Sequence, residues 1–382
     1  MSDAFATLGA LLPWLAVPGA PLLLVPLLLA RGTRRAAGKL APFAALPAFA
    51  LAGWAGPGAA VESDVLLFGV LLSLDALALP FLLFTALLWT AAGISASAHL
   101  AGDPARHRFW VFHLLTMAGN LVLAIAGDVA SFYLFFAVMT FAAYGLVVHE
   151  GTPAALRAGR VYLVLAIAGE ALLLAGILLA VAAADGVAFA DLEHLAGAPQ
   201  RDLAIALLLA GFGVKAGALP LHVWLPLAHP VAPTPASAVL SGAMIKAGLL
   251  GWLRFLPLGA VALPEWSLLC IVAGLAAAIL GAIAGALQHE PKTVLAYSSI
   301  SQMGWMTVGL GVALGAPALA PAAVSAISAF AVHHALAKAS LFLGAGVIRA
   351  TPIRGGGRRL ARPRLPVPAL ALAGAPLLSR AF

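Results

Sequence analysis

Four ionisable residues sit deep inside long apolar runs of this 382-residue chain: Glu170 in "LAIAGEALLLAG", Lys215 in "GFGVKAGALP", Lys246 in "SGAMIKAGLL" and Lys338 in "AVHHALAKASLFLG". A lysine at the centre of an apolar helix costs about 2.5–3.5 kcal/mol on insertion scales, so its presence asks for a reason. The chemistry available to such a set is proton transfer. Low dielectric favours the neutral amine and a nearby carboxylate favours the ammonium, so a buried lysine beside a glutamate can load and release a proton. His334 and Lys338 are spaced i, i+4 and share a helix face, which adds an imidazole relay. His222 is a second relay candidate, and His229 falls where its segment reaches the basic side. His333 points away from that face and reads as a packing or lipid-side residue. The plain alternative is that each lysine pairs with a carbonyl or a lipid headgroup. Three lysines at similar depth argue against it.

The lysine at 215 is followed by Pro220, Pro226 and Pro230. Proline removes a backbone donor and clashes with the preceding turn, so the helix carrying Lys215 is expected to break just after it. Freed carbonyls at membrane depth are tolerated only where protein or water surrounds them, and broken helices of this kind form ion sites. A simple proline kink is the alternative. The next helix opens at "APTPASAVLSG", where Thr234 or Ser237 is placed to cap it. A second, weaker candidate break lies at "LGAGVIRA", where glycines permit one.

The elements that position these residues are membrane spans. The chain is 63% hydrophobic and 9% charged, against about 25% charge in an average soluble domain. Windows of about 20 apolar residues place spans at 8–30, 41–58, 72–98, 109–126, 129–148, 159–183, 203–229 (broken), 236–257, 266–287, 293–313, 321–348 and 366–382. At 1.5 Å per residue the four ionisable groups then lie about 15–25 Å from their span ends, near the midplane. The links alternate. Those at 31–39, 103–108, 149–160, 288–292 and 349–364 are basic, while those at 59–64, 127–131, 190–202 and 263–266 are acidic or nearly free of lysine and arginine. The basic set reads as cytoplasmic and the N-terminus as external, in a cell (inner) membrane. The net charge of +7 is thereby a topology signal rather than a nucleic-acid patch, and the partners are the lipid bilayer and other membrane proteins. Arg254 lies near the external end of its span, where it can snorkel. His99, His107, His113, His149, His194 and His289 read as link or interfacial residues. "RGGGRR" (354–359) lacks the order of a phosphate loop, "HE" at 149–150 and 289–290 lacks a metalloprotease continuation, and a lone Cys270 excludes an internal disulfide framework. The N-terminus carries no positive n-region and is read as a retained first span.

Three stretches are long and specific. "GFGVKAGALPLHVWLPLAHPVAPTPASAVLSGAMIKAGLLGWLRF", "PKTVLAYSSISQMGWMTVGLG" (291–311) and "HHALAKASLFLGAG" (333–346) resemble the antiporter-like subunits shared by respiratory complex I, membrane-bound hydrogenases and Mrp-type cation/proton antiporters. "FYLFFAVMTFAAYGLVVH" (132–149) is most similar to the hydrogenase and Mrp branches. The resemblance covers roughly 70–350. It implies an all-α polytopic bundle with inverted repeats and broken helices, of which this chain holds about 11–12 spans. It divides the chain into N-terminal helices (1–65), a proton-translocation core (66–350) and a basic link with a truncated last helix (351–382). It also implies that Lys215 is the lysine of the seventh helix, Lys246 the bridging residue of the eighth and Lys338 that of the eleventh, with Lys292 interfacial. Tyr297, Ser298 and Ser301 match a polar run that either holds water or packs helices.

Two departures stand out. The glutamate that partners the seventh-helix lysine in the family falls on Ala137, and Glu170 on the next helix is the candidate replacement. "LPVPALALAGAPLLSRAF" begins like the family's broken twelfth helix and stops inside it, which implies a truncated member whose last proton site is Lys338. The function implied is a proton- or sodium-translocating subunit of an energy-converting complex, with no cofactor bound by this chain and redox chemistry in partner subunits. A Mrp-type sodium/proton antiporter subunit and a non-pumping structural subunit are the alternatives.

Overall fold

The computed structural model describes residues 2–63, 69–184 and 186–350; the expected last span, the glycine-rich link at 354–359 and the proposed truncated helix lie outside the described residues. Alanine- and leucine-rich runs bounded by proline at the first turn and by capping side chains become long helices. α1 (Ser2–Leu29) is continuous through Pro13, Pro18, Pro21 and Pro26. It leads through short α2 (Arg34–Leu40) and α3 (Leu46–Ala55) to α4 (Ala78–His99), α5 (Arg106–Ile125), α6 (Val129–Val147) and α7 (Pro153–Ala183). Thr152 caps α7 by accepting from Ala155 N at 3.1 Å, and Asp128 caps α6 by accepting from Ser131 N at 2.7 Å, each satisfying a terminal donor. α8 (Arg201–Ala216) and α9 (Trp224–Val231) form one interrupted span. They are followed by α10 (Thr234–Val239), a wide π turn (Leu240–Met244) and α11 (Ile245–Phe255), then by α12 (Pro264–Ala286), α13 (Pro291–Gly315) and α14 (Ala320–Ala350).

Among the described residues nine helices are long and apolar enough to cross a membrane, or ten if the pair 34–43 and 46–55, bent by 42°, counts as one span. The chain is an all-helical, polytopic membrane bundle. α13 falls outside the nine because its serines and Lys292 lower its hydropathy, yet its 25 residues run along α12.

Two segments differ from expectation. The span expected at 41–58 is a bent pair of short helices. The span expected at 72–98 starts only at Ala78, because 70–74 instead pairs with 59–63 as a two-stranded antiparallel hairpin. That hairpin is fastened to the α5–α6 link. Gly127 N donates to Leu71 O at 2.8 Å, and Asp128 Oδ2 accepts from Leu71 N at 2.9 Å.

The segment from Thr234 to Phe255 is the core of the bundle. Every residue in it is buried except half-buried Arg254, and it packs against α4, α8 and α14. Close packing there depends on glycine. A Cβ at Gly248 would lie 2.6 Å from Phe212 O, and one at Gly242 would lie 2.8 Å from Leu88 Cδ1. α12 and α13 meet the same way, at Gly274 against Gly304. α12 is peripheral and exposes Leu268, Val272, Ile279 and Ile283.

Candidate functional site

α7 and α8 approach closely where Gly169 faces Val214 and Gly211 faces Leu173; a Cβ on Gly211 would sit 2.8 Å from Leu173 N. That approach brings Glu170 and Lys215 to one cavity of about 10 Å³, also lined by Phe136, Thr140, Tyr162 and Trp224. This is the lower limit of room for one water. Lys215 Nζ donates to Tyr162 Oη at 3.0 Å, and Tyr162 Oη donates to Thr140 O at 2.7 Å. The ammonium also lies 5.2 Å from the Tyr162 ring centroid, 5.9 Å from Phe136 and 6.0 Å from Trp224. These quadrupoles stabilise a cation that has left water. The Glu170 carboxylate and the Thr140 hydroxyl are buried facing each other, without a hydrogen bond of good geometry to any group. Ala137 is half-buried on α6 and does not line the cavity.

The interruption after Lys215 begins at Gly217, whose left-handed backbone (φ 73°, ψ 34°) ends α8. The Leu219–Pro220 peptide is cis. The freed carbonyls are satisfied locally: Gly213 O accepts from Ala218 N at 2.9 Å, and Val214 O accepts from Trp224 Nε1 at 2.7 Å. Pro226 lies in the first turn of α9 and Pro230 inside it, so neither opens the chain. The small cavity beside Gly217–Leu219 is lined mainly by apolar groups of α11, α12 and α13. His222 lies half-buried in a 3-10 turn and lines neither cavity.

A second cluster surrounds the π turn. Ile245 N reaches back five residues to Leu240 O, and Lys246 Nζ donates to Ser241 O at 2.7 Å. Ser241 Oγ and Ser299 Oγ are 2.7 Å apart, Ser299 Oγ donates to Leu295 O at 2.9 Å, and Leu295 O also accepts from Lys338 Nζ at 2.9 Å. Lys246, on α11, and Lys338, on α14, are thus joined through α13 by a short chain of polar contacts. His334 is fully buried, neither ring nitrogen has a partner, and both lysines are within its electrostatic reach. Among the described residues no hydrogen bond joins this cluster to the Lys215 cavity. Carbonyls hold an ammonium but pass no proton on. The paired serine hydroxyls both donate and accept, and can relay one.

A sequence profile of a family described as NADH:quinone oxidoreductase/Mrp antiporter, transmembrane region, matches residues 126–358, more than half of the chain. The chain belongs to this antiporter family. It is 32% identical over 246 residues to hydrogenase-4 component B of Escherichia coli K12, covering 62% of this chain and 37% of that one. It is 32% identical over 288 residues to NADH-quinone oxidoreductase subunit N of Desulforudis audaxviator, covering 73% and 56%. The Mrp complex of Dietzia sp. DQ12-45-1b superposes with a TM-score of 0.78 at 27% identity, over 89% of this chain and 37% of that chain. The chain therefore spans between about a third and somewhat over half of the length of these relatives.

Within this antiporter-family core several residues lie elsewhere than expected. Lys292 stands at the first turn of α13, the helix end expected for it, but is buried there, donating from Nζ to Ala232 O at 2.7 Å. His113 is fully buried among Trp89, Phe109 and Trp110 instead of lying at the interface. His149 does lie in the α6–α7 link, as expected, and is buried there 2.7 Å from Asp103. His229 is stacked on Phe342 with centroids 4.6 Å apart, while half-buried His333 fits its packing reading. Neither Thr234 nor Ser237 caps α10; Ser237 Oγ donates to His229 O instead. Arg254 does not snorkel but forms a two-pronged ion pair with Asp75. Ser301 donates to Ala278 O at 2.7 Å, the helix-packing reading of the polar run. α14 runs unbroken through "LGAGVIRA". Tyr162, Ser241 and Ser299 carry the two clusters and escaped the sequence reading. Only Tyr162, two turns before Glu170, had a spacing that could have pointed to it.

Proposed function

We propose that this chain is a proton- or sodium-translocating subunit of a membrane-bound energy-converting oxidoreductase complex, complex I-like or hydrogenase-linked. The observation that carries the reading is the shared burial of Glu170 and Lys215 in one aromatic-lined cavity. Glu170 stands in for the carboxylate that Ala137 lacks and sets the charge on Lys215. A proton loaded from the cytoplasmic side at Lys215 passes through the Lys246 region to His334 and Lys338 and leaves externally, with water carrying it past the carbonyls that hold the two lysines and the Ser241–Ser299 hydroxyls offering a relay between them. Water joins the two clusters, and His222 is the remaining relay on that route. Coupling is electrostatic: moving charge next to one buried lysine changes whether it holds its proton. Redox centres reside in partner membrane subunits, and this chain binds no cofactor. The chain sits in the cell (inner) membrane with its N-terminus outside, its basic links facing the cytoplasm.

The reading from another class, a Mrp-type sodium/proton antiporter subunit, is supported by the likeness to the Dietzia complex. Co-purifying hydrogenase or quinone-reductase subunits favour the first reading, small antiporter partners the second. The deciding measurement is proton uptake by vesicles containing the assembled complex. Lys215→Ala is expected to lower it by about 100-fold or more. Uptake at the wild-type rate overturns the mechanism.

A further inference from the structure

The basic link at 31–39 and the basic link at 103–108 lie far apart in sequence, yet the fold brings them together. The end of α1, all of α2 and the start of α5 enclose a cavity of about 480 Å³ lined by Leu28, Arg34, Arg35, Lys39, Arg106 and Trp110, with Gly38, Pro104 and His107 completing the wall. That volume is within the range of small-ligand sites.

Its charge is one-sided. Four cationic side chains line it and no carboxylate does, and none of the four forms an ion pair with a described carboxylate. Asp103, the nearest acid in sequence, is engaged by His149 Nε2 at 2.7 Å. Arg34 spends its Nε and one Nη on Leu28 O and Leu29 O, capping α1. Two further donors have nothing to bond. Arg106 Nε and Trp110 Nε1 are both buried and partnerless, although Trp110 is only 1% exposed. Buried unpaired donors each cost about 1–3 kcal/mol, more for a charged group, so two on one cationic wall mark a place built for an acceptor.

We infer that this cavity is a binding site for the phosphodiester headgroup of an anionic phospholipid. Guanidinium forks and an indole N–H suit phosphate oxygens. Basic pockets between helices on the positive side of a membrane protein recruit such headgroups. A lipid rather than a free anion is favoured because the ends of α1 and α2 and the turn that leads from α2 into the start of α3 carry exposed Leu29, Leu40, Phe43 and Leu46, an apolar surface for the acyl chains.

The test is native mass spectrometry of the purified full chain with dioleoyl phosphatidylglycerol or dioleoyl phosphatidylcholine. Phosphatidylglycerol is expected to bind in preference. Arg106→Gln should weaken it about 10-fold, and Trp110→Phe, which keeps the ring and loses the donor, about 5-fold. Arg157→Gln removes an exposed basic residue that does not line the cavity and should change nothing. If Arg106→Gln fails to fold, Trp110→Phe and Lys39→Gln carry the comparison. Equal binding of the two lipids overturns the proposal, as does wild-type binding by the cavity variants or an equal loss in Arg157→Gln, which would mean diffuse surface attraction. Full displacement by millimolar inorganic phosphate would make the site one for a free anion and overturn the lipid assignment.

Discussion

The lysine at 215 and the glutamate at 170 are 45 positions apart, and the glycines at 169 and 211 let their helices meet. With the Glu170 carboxylate short of a well-formed hydrogen bond in a cavity that the lysine shares, its charge acts on the ammonium at low dielectric. Glu170→Gln, nearly isosteric, is therefore expected to cut proton uptake by about 10-fold or more while leaving the thermal midpoint near wild type. Wild-type uptake would show that another group has taken the carboxylate's role. Ser299→Ala removes one half of the hydroxyl pair between Lys246 and Lys338 and is expected to slow uptake several-fold at a stability cost of about 1 kcal/mol; unfolding in detergent and vesicle uptake measured on the same preparation separate the two effects. The lysines and the glutamate were legible in the sequence because a charge inside an apolar run is conspicuous. Tyr162, Ser241 and Ser299 were not, since helical hydroxyls usually bond their own backbone and nothing local marks the ones that reach across.

Elements are held at their ends by polar clasps and at mid-depth by glycine. Asp75, just before α4, grips Arg254 at the end of α11 through two bonds and also accepts from Ala78 N at 2.7 Å. Burial pushes this carboxyl up, but the Arg254 bond and charge outweigh it and hold the group below the usual carboxylate range. A depressed folded value means that the stabilisation is complete above about pH 3.9, the unfolded value, and is lost as pH falls through the lower folded value. Asp75 is 42% exposed at its side chain, so screening limits the pair to about 1 kcal/mol. Asp75→Asn should accordingly lower the thermal midpoint at pH 7, with the gap to wild type closing below about pH 3.9; a gap that widens on acidification refutes the sign. Gly248→Ala tests the mid-depth contacts. Its Cβ would fall 2.6 Å from Phe212 O and 2.7 Å from Ala216 N, both backbone atoms that cannot swing aside, and about 1–3 kcal/mol of stability is expected to go. Proline placed the interruption after Lys215 correctly in the sequence, yet glycine made it: α8 ends at Gly217, and Pro226 and Pro230 ride inside the next helix. The hairpin at 59–74 was hidden because its second strand is as apolar as the helix that follows.

Across the whole molecule, polar contacts tie the ends of the bundle, and unmatched polar groups lie in its interior as well as in the basic cavity at one end. Asp128 fastens the hairpin on one side, while His149 with Asp103 and Lys292 with Ala232 join links on the other. Glu170 and His334 lack well-formed hydrogen bonds in between. The span count was legible from hydropathy alone wherever a helix faces lipid, and α12 is the plainest case. It was least legible at 41–58 and 72–74, where a bent pair of short helices and a hairpin strand are as apolar as a span. The turn at 240–244 has one more consequence. A turn of i to i+5 bonds holds about one residue more than an α-turn, so the helix from Thr234 to Phe255 behaves as two phases offset by about 100°. Its first phase fits α4 and α14, its second fits α8. Deleting Ala243 would cancel the surplus residue and put both halves on a single phase, so that one of the two must turn away from its neighbours. Such a chain should still insert into the membrane and still carry every lysine named above, yet translocate nothing. In this segment the number of residues is as much a constraint as their identity.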